Sequence, residues 1–151
     1  MAKVTSLSYR KRQENDDPFI IKTSLSLMKE MFKQSVGIGL TEDIIRQQIR
    51  ANETVMIIER NNKPIGFYMY TVFPSGEMYL SSLILVPHVQ NQGIGTEVVH
   101  HIISEARKIN VQKIIGHVQI SNENALTFWK KNKFRVIGRP IHGSVEIQRS
   151  L

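Results

Sequence analysis

From Leu83 to Thr96 the chain reads Leu-Ile-Leu-Val-Pro-His-Val-Gln-Asn-Gln-Gly-Ile-Gly-Thr, an apolar strand that stops at a proline and enters a helix through Gln90-x-x-Gly93-x-Gly95. Pro87 ends the strand because it has no N–H to give to a ladder. The glycines let the main chain turn tightly and lie close to a ligand. The first helical turn adds free N–H groups and the positive end of the helix dipole, which together attract anions. The segment therefore outlines a phosphate cradle, and a pyrophosphate is its expected ligand.

Spacing separates the loops that could do this. A P-loop needs Gly-Lys-Ser/Thr after four intervening residues, and no Gly-Lys pair occurs in the chain. A dinucleotide fingerprint needs a third glycine three residues after Gly95, where Val98 stands, and the following helix has no further glycine. Taken alone, the six residues remain open to an ordinary glycine-containing turn between strand and helix.

The surrounding pattern predicts a first strand from Leu7 to Arg12 and a polar turn from Glu14 to Pro18. A helix is expected from about Ile20 to Gln34, with Leu27 and Met31 at helical spacing and Gly37 and Gly39 closing it. Thr41 is a good N-cap, with Glu42 and Asp43 in the first turn and Ile45 and Ile49 on one side. Strands are expected at 54–59, 64–73 and 77–86, with tight connections at Arg60-Asn61-Asn62-Lys63 and Pro74-Ser75-Gly76, as in an antiparallel meander. A helix from Thr96 to about Ile109 follows. Lys113 to Ile120 is then strand, Asn122 to Asn132 helix, and 134–137 and 145–148 two closing strands. The order β-α-α-β-β-β-α-β-α-β-β predicts an α+β fold, with a mixed, mostly antiparallel sheet of about seven strands and about four helices. With 151 residues and no repeat or linker, residues 1–151 read as one domain.

A second motif lies one helix and one strand beyond the loop: Ser121-Asn122-Glu123-Asn124-Ala125-Leu126-Thr127-Phe128-Trp129, then Lys133-Phe134. Together the motifs resemble those of the GNAT superfamily of N-acetyltransferases: the Gln-x-x-Gly-x-Gly signature, then an Asn-x-x-Ala helix with an aromatic four residues after the alanine. The match covers 83–109 and 117–134; elsewhere only the element order agrees. The resemblance implies that the strand with Leu83, Ile84 and Leu85 splays from the strand with His117, and that the pantetheine of acetyl-coenzyme A lies between them on main-chain hydrogen bonds. Leu83 and Leu85 would double as core. Gln90, Asn91, Gln92, Gly93, Ile94, Gly95 and Thr96 would surround the pyrophosphate, with Asn122 and Asn124 reaching the cofactor from the second motif.

The chain departs from the family's pattern in places. Where many members carry a tyrosine acid it has Trp129, whose indole N–H donates a hydrogen bond but cannot act as a general acid near neutral pH. Trp129 either contacts the cofactor, orienting its thioester or shaping the acceptor pocket, or packs in the core. Lys133 replaces the glycine of a Gly-Phe pair. His117 stands where some members place a glutamate base; an imidazole can take a proton from an ammonium, directly or through water, though the same ring would also serve as a packed sheet residue. Glu77 is the rival base, and Tyr79 or water is available to protonate the thiolate.

Composition narrows the chemistry further. No cysteine is present, which excludes disulfides and a thiol nucleophile. Adjacent His100 and His101 point about 100° apart, and no His-Glu-x-x-His pattern occurs, so no metal is expected. The formal charge of +7 favours anionic partners, yet the cations are scattered without interleaved aromatics, which argues against specific nucleic-acid binding. No signal-peptide core or membrane-length apolar run is seen, so a cytoplasmic protein, monomer or homodimer, is expected. The leading expectation is acetyl transfer to a primary amine of a small molecule or protein in a ternary complex. The alternative is an acyl-coenzyme A-binding sensor or regulatory module with little or no turnover. The acceptor would be shaped by residues 35–41 and the last two strands, with Glu30, Glu42, Asp43 or Glu77 lining the pocket if it were strongly cationic.

Overall fold

A computed structural model of the chain describes residues 6–36 and 39–151, without the side chains of 29–36. Seven strands form one sheet: β1 (Leu7–Lys11), β2 (Thr54–Arg60), β3 (Lys63–Val72), β4 (Glu77–Leu85), β5 (Lys113–Gln119), β6 (Arg135–Ile141) and β7 (Ser144–Ser150). Their spatial order is β1-β2-β3-β4-β5-β7-β6, antiparallel throughout except where β4 meets β5. Four helices flank it: α1 (Asp17–Val36), α2 (Glu42–Ala51), α3 (Ile94–Lys108) and α4 (Glu123–Lys131). The α+β architecture and the element order are those the sequence predicts.

Strand alternation divides the core in two. In β2, Val55 and Ile57 face one side with Ile20, Ile45, Ile49, Phe67 and Met69, beneath α1 and α2. Ile58 faces the other side with Tyr68, Met78, Leu80, Val98, Ile102 and Ile114, against α3. Tyr9 of β1 stacks flat on His101 of α3, with ring centroids 3.6 Å apart, and burial pushes the His101 pKa down.

Local chemistry sets the element ends. Asn61 and Asn62 both adopt positive φ, at 54° and 61°, the conformation that a tight two-residue hairpin between β2 and β3 requires. Thr41 Oγ1 accepts from the Ile44 N–H at 3.2 Å and caps α2 as expected. Several boundaries differ from the sequence expectation. The polar turn shrinks to a 3-10 turn at Glu14–Asp16, and α1 begins at Asp17, because proline fits the first turn of a helix, where no N–H is needed. α3 begins two residues early, at Ile94. β6 runs on to Ile141, past a register shift between Ile137 and Ile141. Gly37, expected to close α1, lies outside the described residues.

Candidate active site

The sheet opens at its one parallel contact. β4 and β5 pair only over Glu77–Tyr79 with Lys113–Ile115, and from Leu80 onward β4 has no ladder partner on the β5 side. The result is a cleft of about 260 Å³ lined by Leu80 to Ile84 on one strand, Ile115 to Gln119 on the other, and Asn122, Ala125 and Trp129 from α4. Backbone groups on its walls can receive an extended ligand that completes the ladder.

A bulge in β4 shapes the cleft. Tyr70 pairs with Leu80 and Met69 with Ser82, leaving Ser81 as the extra residue. Met78 and Leu80 face α3 before the bulge, and Leu83 and Leu85 face it after, so side-chain parity shifts by one. Ser81 is tied across the sheet: its Oγ donates to Asn52 Oδ1 at 2.8 Å and lies 3.3 Å from the Met69 carbonyl. Asn52, at the C-terminus of α2, donates in turn to the Gln48 carbonyl at 2.8 Å.

The glycine loop sits where β4 ends. Gln90 Nε2 donates to the Leu85 carbonyl at 2.8 Å and Gln92 Nε2 to the His88 carbonyl at 2.9 Å, so both side chains fold back and brace the loop. Gly93 is the N-cap of α3 at φ 78°, a left-handed conformation, and a Cβ there would meet nothing within 4 Å. Gly95 is different. A Cβ on it would stand 2.9 and 3.1 Å from ring carbons of Phe128, so this glycine is needed for the contact between α3 and α4. Gln90, Asn91, Gln92 and Gly93 are exposed, Ile94 is buried, and Thr96 Oγ1 lies 3.5 Å from Asn132 Nδ2.

α4 carries the second motif. The Asn122 side chain accepts from the Ala125 N–H at 3.1 Å and caps the helix while lining the cleft. Its C-terminus is a Schellman turn, with the Lys133 N–H on the Lys130 carbonyl and the Phe134 N–H on the Trp129 carbonyl, both at 3.0 Å. Lys133 therefore takes φ 68°, a position where a glycine would avoid about 1 kcal/mol of steric cost. Trp129 packs edge-on against Phe134, with centroids 4.8 Å apart, and against Phe128 at 5.0 Å. Its indole thus serves both readings, core partner and cleft wall.

On the opposite face of the sheet, the Tyr79 hydroxyl and His117 Nδ1 are 2.8 Å apart. His117 is exposed to the cleft, Tyr79 is half-buried, and burial followed by nearby Glu146 raises the phenol pKa, keeping it protonated. The phenol oxygen can accept from Nδ1–H, the tautomer that leaves Nε2 with a free lone pair. Sequence reasoning named both residues without seeing that they pair. Glu77 is elsewhere: it does not line the cleft, and its carboxylate lies 3.7 Å from Lys113 Nζ. Asn124 is exposed and does not line the cleft either.

Among the described residues no cluster of three or more His, Asp or Glu is placed to hold a metal ion. Nor is any described helix long and apolar enough to cross a membrane.

Set against known proteins, residues 23–134 match the family described as Acetyltransferase (GNAT) family. The chain belongs to that family. It is 29% identical over 98 residues to the peptidyl-lysine N-acetyltransferase YjaB of Escherichia coli (strain K12), covering 65% of this chain and 60% of that protein, so it matches less than two thirds of that relative's length. It is likewise 29% identical over 126 residues to N-alpha-acetyltransferase 50 of Danio rerio, covering 65% of this chain and 73% of that one. In three dimensions it resembles the PaiA N-acetyltransferase of Thermoplasma acidophilum, solved in complex with coenzyme A: TM-score 0.74, 17% identity, covering 97% of this chain and 99% of the other. At that identity the likeness speaks for the GNAT fold.

Proposed function

We propose that this protein transfers the acetyl group of acetyl-coenzyme A to a primary amine. The observation that carries this reading is the parting of β4 and β5 after three residue pairs, with His117 exposed in the opening. Pantetheine would lie along Leu83 to Leu85 as an added strand. The pyrophosphate would rest on main-chain N–H groups of Gln92 to Thr96, where Gly93 has no Cβ to obstruct it. When bound, the cofactor supplies an activated acyl group.

The chain's own residues then position and move protons. N–H groups on the free side of β4 polarise the thioester carbonyl. His117 Nε2 accepts the proton of the attacking ammonium, directly or through water, while Tyr79 holds the ring by Nδ1. The neutral amine nitrogen then bonds to the carbonyl carbon, the carbon–sulfur bond breaks and the thiolate leaves with the electron pair, and the second nitrogen proton passes through water to the thiolate. The names of the two sequence relatives point to peptide amines, a lysine side chain or an α-amine, as the acceptor class.

Thiol release measured with and without amine, across pH, tests the reading. His117→Ala should lower kcat by about 10²-fold or more and flatten the pH–rate inflection. Tyr79→Phe, which frees the imidazole ring from its hydrogen-bond partner, should lower kcat by a smaller factor. Acetyl-coenzyme A affinity should stay unchanged in both. Binding without turnover on a broad amine panel would instead make the chain an acyl-coenzyme A-binding sensor.

A further inference from the structure

Behind the cleft, on the α1 and α2 face of the sheet, lies a side pocket of about 190 Å³. It shares Met28, Ser81, Ser82, Ile84 and Gln119 with the cleft. Its remaining walls are Ser24 and Leu40, Gln48 and Asn52 of α2, and Met69 of β3. The polar lining is thus hydroxyl and carboxamide, groups that both donate and accept hydrogen bonds. Asn52 and Ser81 are bonded to each other at its base, and that bond joins α2 to the β4 bulge. Of the acids that the sequence offers for such a pocket, Glu42 pairs with Arg46 at 3.2 Å, Glu77 pairs with Lys113, and neither they nor Asp43 line it; the Glu30 side chain lies outside the described residues.

We propose that this pocket recognises the acceptor's substituent next to the reacting amine, selecting one that is uncharged and hydrogen-bonding. Gln48 and Asn52 would be the selecting residues. The inference rests on the acetyltransferase reading. An uncharged amide or hydroxyl entering the pocket exchanges its water partners for Gln48, Asn52 and Ser82 at little cost. A second ammonium would shed its water among described side chains that carry no carboxylate, which is expensive unless it is paired. Selection therefore works by leaving the wrong acceptor's charge unmatched.

The test compares seryl-alanine amide with lysyl-alanine amide on the wild type, Gln48→Glu and Asn52→Asp. Affinity is read by calorimetry in the presence of coenzyme A, and turnover by thiol release. Wild type should prefer the seryl amide at least tenfold. Gln48→Glu, at a position whose side chain bonds to no described residue, should move the lysyl-to-seryl ratio upward by tenfold or more, since a carboxylate a few ångströms from an ammonium easily supplies that factor. Asn52→Asp should move it the same way. Equal or stronger wild-type binding of the lysyl amide, or a ratio unmoved in both variants, overturns the proposal whatever the turnover. Selective binding with no thiol release leaves it standing and overturns the transferase reading alone.

Discussion

At the scale of single residues, Trp129 shows how one side chain can hold a motif position and do different work there. Its ring closes the hydrophobic contact of the Schellman turn with Phe134 and also faces the cleft. Trp129→Phe keeps aromatic bulk and removes only the N–H, so it should retain most activity, whereas Trp129→Ala should lose about 1–3 kcal/mol of stability through the lost contacts with Phe128 and Phe134. Steady-state kinetics and urea denaturation of the two variants check this. Near-complete loss of turnover in a stable, cofactor-binding Trp129→Phe would assign the indole a chemical role. The replacement of tyrosine by Trp129 was plain in the sequence; the contact with Phe134 was not, because it depends on Lys133 taking a left-handed conformation that a lysine does not advertise.

At the scale of elements, the turn of the glycine loop into α3 was legible because it is written in local spacing, and the cap at Thr41 was legible for the same reason. The two glycines nonetheless serve different ends. Only Gly93 leaves open space where a side chain would stand, while Gly95 admits Phe128 of α4. A Gly95→Val variant should therefore be destabilised by about 1–3 kcal/mol through overpacking between α3 and α4, seen as a lower urea midpoint with an unchanged slope. An unchanged midpoint would show that Phe128 moves aside freely. The bulge at Ser81 was hidden, since Ser81-Ser82 fits a strand in either register and only the pairing of Met69 with Ser82 exposes the extra residue. The pairing of Tyr79 with His117 was hidden for a similar reason: they are 38 residues apart in sequence and meet only because β4 and β5 lie side by side before they part.

Across the whole molecule, the first strand and the first helix are clamped by charge. The Arg10 guanidinium donates to both Asp16 oxygens at 2.8 Å, and Arg12 donates to both Asp17 oxygens at 2.5 and 2.7 Å. Arg10 holds the Asp16 carboxyl below its ordinary pKa. The folded state therefore binds fewer protons than the unfolded state between the two pKa values, so stability rises with pH across that window. The contribution is complete above the ordinary carboxylate value of 3.8 and is lost as pH falls through the folded one. Asp16→Asn should lose about 1–2 kcal/mol at neutral pH and show a flatter acid limb, checked by urea denaturation at a series of pH values. An acid limb identical to that of the wild type would place the dependence on other carboxylates. On the scale of the whole fold, the central claim is that the opening between β4 and β5 receives acetyl-coenzyme A, and a crystal structure grown with coenzyme A tests it most directly. The account predicts pantetheine paired to β4 at Leu83 to Leu85, the pyrophosphate on the N–H groups of Gln92 to Thr96, and the thiol end beside His117. Coenzyme A bound outside that opening, with β4 and β5 empty between them, would contradict it.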